Sequence, residues 1–432
     1  MRCVVCDTRT DEPHDLILVP GKNLVTGEKA FVQEFGDITS IERDLLTLAS
    51  AIFATDLASK RDEREAYIRT IQITIPVTNL RLFNSLKDLI LSSLIVLSSD
   101  NWNIKFVRRN CAEDNLKMAP EIDGRVLLFS GGLDSYAAAT YLCNEKKDLF
   151  LVSHITHNNT VASSQLELKE TIEKQLGKQL QRYAFRVGGR KLGDYYFPGD
   201  NEREDSQRTR SFLFLSLAAL VAHRKGCTKI INIAENGQFA IHVPLSAARI
   251  GPFSTHTAHP EFIHHMQSFF RELFDKDNLE IINPFLYKTK AEVVSMIPSK
   301  FRDGIEKSIS CWKSSRVSSF NHCGECIPCL SRRVALEVNG IILAEYSRDI
   351  LVGDIENLSY DNNGKRNLID YLEFAYSFRG YSPRKKEDLM IQFSDLYNDF
   401  FDSDQAIAMY CRMANDIYSV MSKYPKVSKL LR

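Results

Sequence analysis

The residues with the clearest potential for chemistry form one short stretch, Ser130-Gly131-Gly132-Leu133-Asp134-Ser135. It follows the apolar run Val126 to Phe129 and precedes an alanine-rich run, which predicts a turn between a strand and a helix. Two adjacent glycines allow a positive φ, and the amides that open the following helix can then bind an anion. The serine hydroxyls can add donors, and the Asp134 carboxylate can hold Mg²⁺ beside phosphate groups. The pattern therefore predicts a phosphate-binding loop, with an ordinary Gly-Gly turn as the alternative.

Four cysteines in the second half of the chain predict a metal site: Cys311, Cys323, Cys326 and Cys329. The last three recur at every third residue, and with the upstream cysteine their thiolates can surround a Zn²⁺ ion tetrahedrally. Four thiolates leave no open coordination position, which indicates a structural ion. An iron–sulfur cluster and buried thiols without a metal are the alternatives.

The glycine-rich stretch is similar to the PP-loop of ATP pyrophosphatases, which hold the pyrophosphate of ATP and transfer AMP to an acceptor oxygen. It lacks the Gly-Lys-Ser/Thr sequence of a Walker A loop. Together with the cysteines it resembles the 7-cyano-7-deazaguanine synthase (QueC) family, and this resemblance covers roughly residues 120–340. The other segments that carry it are Gln207–Arg210, Asn283–Leu286, Thr289–Glu292 and Ser310–Trp312.

This resemblance implies an activity and a set of site residues. Enzymes of the family adenylate the carboxylate of 7-carboxy-7-deazaguanine with ATP, and ammonia displaces AMP to give an amide. A second ATP-driven step dehydrates the amide to a nitrile. The implied catalytic residues are Asp134, Arg208, Arg210 and Lys290. The guanidinium groups suit phosphate or carboxylate oxygens and the lysine suits a leaving phosphate, while a solvated surface role is the alternative for all three cations. The implied cofactors are ATP, Mg²⁺ and Zn²⁺.

The segment that faces the substrate in the family departs from the pattern here. Of residues 251–262, only Glu261 and Phe262 match, and His256 and His259 stand where acidic or basic partners are expected. The chain also carries additional residues on both sides of the matching region. This architecture is closer to the QueC-like proteins of antiphage operons, such as the Qat and type IV CBASS systems.

With this architecture, two amines are possible acceptors of the activated acyl group. One is ammonia, and the other is an amino group of a partner protein from the same operon. A PP-loop enzyme that modifies tRNA and a non-catalytic scaffold that binds a nucleotide are the alternative functions. The intact Ser130–Ser135 motif argues against the scaffold.

Composition narrows the classes of partner. The 55 basic and 55 acidic residues give a net charge of zero, which argues against nucleic-acid binding. Apolar runs are too short to span a bilayer, and the first residues lack the core of a signal peptide. The 10 cysteines fit a reducing compartment, so we expect a cytoplasmic protein without a membrane partner.

Alternating strands and helices predict an α/β fold with a parallel sheet in the middle of the chain. The predicted strands are Val126–Phe129, Leu149–Ile155, Gln181–Val187 and Lys229–Ala234. Ligands bind at the carboxyl ends of such strands, so Ser130, residues 154–159 and Glu235–Gly237 should share one rim. His154 and His157 on this rim are expected to be structural or to position substrate, as are His256 and His259.

Three domains are predicted from the changes in character along the chain: an α+β domain at 1–119, the PP-loop domain at 120–340, and a helical region at 341–432. Ala30–Val32 reads as a short strand of the first domain. In the last region, one set of residues is spaced to form a stripe along a helix: Phe393, Leu396, Tyr397, Phe400 and Phe401.

Overall fold

A computed structural model of the 432-residue chain supplies the structure. It describes residues 2–7, 13–62, 64, 67–110, 119–145, 147–156, 159–231, 234–245, 256–314, 320–343, 346–353, 355–359, 361–380 and 383–431. Within these ranges, no helix combines the length and the apolar composition that crossing a bilayer requires.

The N-terminal residues form a small parallel sheet with helices packed on it. Its elements are β1 (Arg2–Cys6), β2 (Leu16–Leu18), β3 (Leu24–Val25), α1 (Glu28–Phe35), α2 (Ser40–Ala58), β4 (Thr70–Val77), α3 (Leu80–Ser85), α4 (Lys87–Ser98) and β5 (Asn101–Arg108). The four sheet strands pair in the order β2-β1-β4-β5, all in parallel. The side chains of Ile71, Ile73 and Ile75 on β4 are fully buried, so this sheet contributes to an apolar core.

The predicted strand at Ala30–Val32 is wrong, because these residues lie within α1. Gly27 takes φ +83° directly before the helix, a conformation that favours glycine. Phe31 and Phe35 then lie one turn apart, with ring centroids separated by 4.7 Å. Phe31 also stacks on Phe185 of a distant strand, a tertiary contact that the local sequence does not reveal.

The middle of the chain forms the predicted parallel sheet. Its elements are β6 (Ile122–Leu128), α5 (Leu133–Leu142), β7 (Leu149–His154), α6 (Asn159–Leu176), β8 (Gln181–Phe185), β9 (Gly188–Gly189), α7 (Arg210–Lys225), β10 (Cys227–Ile231), α8 (Gly237–Ile241), α9 (Pro260–Phe274), β11 (Glu280–Ile282) and α10 (Lys290–Ser295). Five strands pair in parallel in the order β11-β10-β6-β7-β8. After β6 the chain forms β7 and β8 on one flank of that strand, and it then forms β10 and β11 on the opposite flank. The loops after β6 and β10 therefore meet where the strand order reverses, the usual ligand position in such sheets.

The C-terminal residues are helical, as predicted. The helices are α11 (Ile327–Val338), α12 (Asn363–Phe378), α13 (Pro383–Gln392), α14 (Ser403–Met421) and α15 (Pro425–Ser428). The predicted aromatic stripe does not lie on one helix, because α13 ends at Gln392 and α14 begins only at Ser403. Asp402 accepts hydrogen bonds from the first amides of α14, and this side-chain cap sets where the helix starts.

Two hydrophobic cores connect these three parts of the chain. One core joins buried side chains of α2 and β4 to those of α7 and α9. The other joins Ile241, Val243 and Ile327 to the C-terminal helices. In addition, β3 of the N-terminal part pairs antiparallel with β9 of the middle part. The domain limits at residues 119 and 340 stay a prediction.

Candidate functional site

The glycine-rich loop follows β6, and neighbouring segments hold its backbone. Gly131 takes φ +83°, and a Cβ at this position would lie 3.1 Å from Gln165 Cγ, closer than side chains normally pack. The carbonyl of Gly131 accepts hydrogen bonds from the Ser164 hydroxyl at 2.9 Å and from the Ile309 amide at 2.9 Å. The loop shape therefore depends on α6 and on the segment before Cys311.

The loop presents its amides and hydroxyls at the start of α5. The Ser135 hydroxyl donates to the Gly132 carbonyl at 3.0 Å, and the Gly132 amide donates to Ser130 Oγ at 3.3 Å. Gly132 is the residue that precedes α5 and has no side chain to cap the helix. The first amides of α5 can therefore donate to a ligand, and the helix end favours a negatively charged one.

Asp134 lies at the centre of a buried polar cluster. Lys290 Nζ is 2.8 Å from Asp134 Oδ1, and Asn236 Nδ2 donates to Asp134 Oδ2 at 2.6 Å. Burial alone would raise the pKa of Asp134, but the Lys290 charge and the hydrogen bonds hold it below the usual value. Burial and the neighbouring Asp134 charge raise the pKa of Glu235 well above its usual value. These shifts favour the ionised form of Asp134 and the protonated form of Glu235.

This carboxyl pair fits a divalent cation. Mg²⁺ prefers oxygen ligands and usually binds one or two carboxylates together with substrate phosphates. Glu235 favours its protonated form beside the Asp134 carboxylate, and a cation could take the place of that proton. The sequence predicts Glu235 on the rim but assigns it no role. The feature that could have indicated a role is its position shortly after β10.

Lys290 owes its position to the start of α10. Thr289 accepts a hydrogen bond from the Glu292 amide, and the Glu292 side chain accepts one from the Thr289 amide. This capping box fixes the helix start, so that the first helical residue points at Asp134. Lys290 is 8 % exposed and also lies 5.6 Å from the centroid of the Phe239 ring.

A cavity of about 620 Å³ opens beside the loop. Ser130 lies at one end, and the other walls come from the ends of β7 and β8, from α2 and from α7. Prominent lining residues are Phe53, Leu57, His154, Gly188, Arg210 and Trp312. The volume and the aromatic walls suit a small ligand such as a nucleoside.

The two candidate arginines have different surroundings. Arg210 lines the cavity, with its guanidinium 5.0 Å from the centroid of the Phe214 ring. Arg208 is 5 % exposed and is not among the residues that line the cavity. Burial and the charge of Arg61 lower the pKa of Arg208 to about 10. The structure thus brings Arg210 to the cavity, whereas Arg208 is buried and does not line it.

The histidines also separate into two groups. His154 lines the cavity, and its Nε2 lies 2.9 Å from the Val187 carbonyl oxygen. His256 and His259 lie in edge-to-face contact, with ring centroids 5.3 Å apart, and His259 also touches Phe401. His157 and residues 251–255 lie outside the described residues.

The four cysteines form a compact cluster. Their sulfur atoms all lie within 4.8 Å of one another and all four residues are buried. Two of the separations, Cys311 to Cys326 and Cys323 to Cys329, are 3.9 Å. A tetrahedron with zinc–sulfur bonds of about 2.3 Å requires sulfurs about 3.8 Å apart. The cluster therefore fits Zn²⁺, whereas an iron–sulfur core would hold the sulfurs further apart.

The cysteine cluster is joined to the phosphate-binding loop by residues 305–311. The Ile309 amide donates to Gly131, two residues before Cys311. Arg332, on the same helix as Cys329, donates to the Ser308 hydroxyl at 2.7 Å and to the Ile305 carbonyl at 2.6 Å. A metal held by the cysteines would fix this segment and, through it, the loop.

Comparison with known proteins shows the family of the chain. The family model described as queuosine biosynthesis protein QueC matches residues 124–340, half of the chain. The chain is 26 % identical over 227 residues to the 7-cyano-7-deazaguanine synthase 1 of Mesorhizobium japonicum. It is 24 % identical over 227 residues to the 7-cyano-7-deazaguanine synthases of Brucella ovis and Brucella suis. Each match covers 50 % of this chain and 90 % of the relative. With its loop, parallel sheet and four-cysteine cluster, the chain belongs to the QueC family of PP-loop enzymes.

Proposed function

We propose that the protein uses ATP to adenylate the carboxylate of a 7-deazaguanine and then transfers the acyl group to an amine. The observation that carries this proposal is the Ser130–Ser135 loop, whose Asp134 contacts Lys290 and Glu235 and whose Ser130 lines the cavity. A site for an anion, a pair of carboxyls for a cation and a nucleoside-sized cavity are what ATP cleavage requires. The names of the relatives support a deazaguanine as the substrate.

The proposed first step forms an acyl adenylate. A carboxylate oxygen of the substrate attacks the α-phosphorus of ATP, the bond to the bridging oxygen breaks, and pyrophosphate leaves with the electron pair. The loop amides and the hydroxyls of Ser130 and Ser135 bind the pyrophosphate oxygens. Lys290 supplies positive charge next to them. Asp134 and Glu235 would hold Mg²⁺, which offsets the phosphate charge when bound.

In the second step the amine displaces AMP. Ammonia attacks the acyl carbon, loses a proton and forms the amide, while AMP leaves. The amide oxygen then attacks a second ATP in the same way, and loss of AMP and the remaining nitrogen-bound protons gives the nitrile. Arg210, which reaches the cavity, is the proposed partner of the substrate carboxylate or of the α-phosphate.

The test is mass spectrometry after incubation of the protein with ATP, Mg²⁺ and 7-carboxy-7-deazaguanine, with and without ammonium. We expect AMP, pyrophosphate and an amide or nitrile product from the wild type. Asp134→Asn should abolish AMP formation, whereas Asp123→Asn, an exposed carboxylate at the start of β6, should retain it. If the wild type forms no AMP, the proposed reaction is wrong.

The alternative acceptor is an amino group of a partner protein. AMP release without a small-molecule product, and a mass increase on a protein encoded in the same operon, would favour that acceptor. An antiphage role is a further part of this proposal, supported by the residues on both sides of the family match. It predicts that loss of the gene lowers phage resistance, and that the Asp134→Asn variant does not restore resistance; a non-catalytic scaffold would restore it.

A cytoplasmic location is also part of the proposal. None of the nine cysteines in the described part of the chain forms a disulfide, and four of them lie where a metal needs reduced sulfur. Modification of tRNA is the competing enzymatic function. It predicts AMP formation that requires tRNA and is indifferent to the deazaguanine acid.

A further inference from the structure

The N-terminal part of the chain supplies one wall of the cavity. Phe53 and Leu57, one turn apart on α2, line it together with residues from the QueC-like region. Phe53 makes an edge-to-face contact with His154, with ring centroids 5.8 Å apart. It also approaches Gly188, whose added Cβ would lie 3.7 Å from the Phe53 ring. The cavity is therefore closed on this side by residues that lie outside the family match at 124–340.

The same helix holds the segment that carries the arginines. Asp56 Oδ2 accepts hydrogen bonds from the Thr209 amide at 3.0 Å and from the Thr209 hydroxyl at 2.9 Å. The Leu57 carbonyl accepts a hydrogen bond from the Glu204 amide at 2.9 Å. Thr209 is fully buried and directly precedes α7, which begins at Arg210. The direction in which Arg210 enters the cavity thus depends on Asp56.

Asp56 is itself fixed by a buried ionic network in the N-terminal part. Arg69 lies 2.6 Å from Asp56 and 2.5 Å from Asp100, and Arg61 lies 2.8 Å from Asp100. The side chains of Arg69, Asp56 and Asp100 are at most 2 % exposed. Buried charges are costly unless each has a partner, so this network tolerates few alternative arrangements. It anchors Asp56, and through it Thr209, to the N-terminal sheet.

The backbone of the held segment is constrained as well. Gln207 lines the cavity and takes φ +47°, an uncommon conformation for a residue with a side chain. Such a conformation persists only where surrounding contacts impose it. The contacts from α2 to Glu204 and Thr209 lie on either side of Gln207 and provide this constraint.

We propose that the N-terminal part is a component of the nucleotide site: Phe53 and Leu57 form a wall against the adenosine of ATP, and Asp56 is a positioning residue for the arginine segment. This inference rests on the proposed function, because it takes ATP as the occupant of the cavity. It assigns to the N-terminal part a role within the chain itself, in addition to any role in binding a partner.

The wall is tested with Phe53→Leu and a matched control, Phe83→Leu. Phe83 is a fully buried phenylalanine of the same N-terminal core, on α3, and does not line the cavity. Both variants remove the same atoms and should lower the melting temperature. Binding of α,β-methylene-ATP, an analogue that cannot be cleaved at this bond, is measured by calorimetry. Phe53→Leu should weaken binding about tenfold and Phe83→Leu less than about twofold.

The positioning role is tested with Thr209→Val and Thr209→Ser. Valine keeps the shape and the backbone amide but removes the hydroxyl that donates to Asp56, whereas serine keeps the hydroxyl. Loss of this hydrogen bond should weaken binding of the analogue about fivefold in Thr209→Val, and Thr209→Ser should bind like the wild type. A merely structural role would lower the melting temperature without separating the two variants in affinity.

The outcomes separate this inference from the proposed function. Suppose that the wild type binds the analogue and that Phe53→Leu binds it as tightly as Phe83→Leu does. The assignment of Phe53 to a wall against the adenosine is then wrong, and the proposed function stands. Equal affinity of Thr209→Val and the wild type likewise overturns the positioning role alone. If the wild type does not bind the analogue, both the proposed function and the inference are wrong.

Discussion

The neighbouring carboxyl groups of Asp134 and Glu235 have pKa values that are shifted in opposite directions, and Lys290 lies 2.8 Å from Asp134. Lys290 and Asn236 hold the Asp134 carboxylate, and Glu235 favours its protonated form because burial and the charge of Asp134 both disfavour its ionised form. At the scale of single residues, the chemistry thus depends on one lysine. Without it, the Asp134 carboxylate would lose the nearby positive charge that lowers its pKa.

Lys290→Met should therefore abolish most of the activity. We expect AMP formation to fall about 100-fold, because a preorganised charge next to the leaving phosphate is lost. Lys300→Met is the matched control, since Lys300 is exposed and its ammonium lies over the Phe301 ring, away from the loop. The rates are compared by pyrophosphate release. Equal rates for Lys290→Met and the wild type would contradict the assigned role.

Asp416 predicts a pH dependence of stability. Its carboxylate, half-buried on α14, accepts a hydrogen bond from the Thr289 hydroxyl at 3.3 Å, and burial raises its pKa from 3.8 to about 6. Because the folded state holds this proton more tightly than the unfolded state, the stabilising contribution is complete below about pH 4 and is lost as pH rises through 6.

The Asp416→Asn variant should not lose stability in this way as pH rises, because asparagine does not titrate. We expect the variant to be more stable than the wild type by about 1 kcal/mol at pH 8, a modest value because water screens a half-buried group. At pH 4 the two proteins should differ much less. Urea unfolding at both pH values checks this, and an equal difference at pH 4 and pH 8 would rule out titration of Asp416 as the cause.

At the scale of elements, the segment at residues 305–311 connects the cysteine cluster to the loop. One of its ends contributes Cys311, and its middle donates the Ile309 amide to the Gly131 carbonyl. Arg332 of α11 fixes the same segment through Ser308 and Ile305. The metal would therefore act on catalysis indirectly, by holding the segment that shapes the anion site.

Loss of the metal should weaken nucleotide binding as well as stability. In Cys326→Ser we expect zinc content to fall, stability to drop by at least about 3 kcal/mol, and affinity for α,β-methylene-ATP to fall about tenfold or more. Cys411→Ser is the control, because Cys411 lies half-buried on α14, apart from the cluster. Elemental analysis gives the zinc content. Unchanged nucleotide affinity in zinc-free protein would contradict the proposed connection between the cysteine cluster and the phosphate-binding loop.

At the scale of the whole molecule, the parts outside the family match are packed into the same cores as the enzyme region. Phe185, Phe212 and Phe269 share a core with residues of α2 and β4. On the other side, α14 approaches α8 closely: a Cβ on Gly237 would lie 2.8 Å from the Met409 methyl carbon. The three parts therefore depend on each other for burial of apolar surface.

This arrangement predicts a single cooperative unfolding transition. The chain has two tryptophans, Trp102 on β5 and Trp312 at the cavity. Trp312→Phe leaves a reporter in the N-terminal part, and Trp102→Phe leaves one in the middle part. Fluorescence of each variant, and far-UV circular dichroism, which reports the helices of all three parts, should give the same urea midpoint within one protein. Midpoints that differ between the probes would show that the parts unfold independently.

Features whose information is local in the chain follow from the order of the amino acids alone. The order of residues in Ser130–Ser135 predicts the loop, the spacing of the cysteines predicts their cluster, and regular alternation predicts the parallel sheet. In each case the ligands or elements are close in sequence, or they repeat at a fixed interval. Residue types and spacing are then sufficient, because backbone geometry brings such residues together in any compact fold.

Features that depend on contacts between residues far apart in the chain follow only from the folded packing. Asp134 meets Asn236 across 102 residues, and Asp56 meets Thr209 across 153 residues. Three other features have the same origin. They are the wall of the cavity from α2, the different surroundings of Arg208 and Arg210, and the helix at Ala30–Val32. Each results from packing between distant segments, and a local pattern carries no record of which distant segment will bury a given side chain.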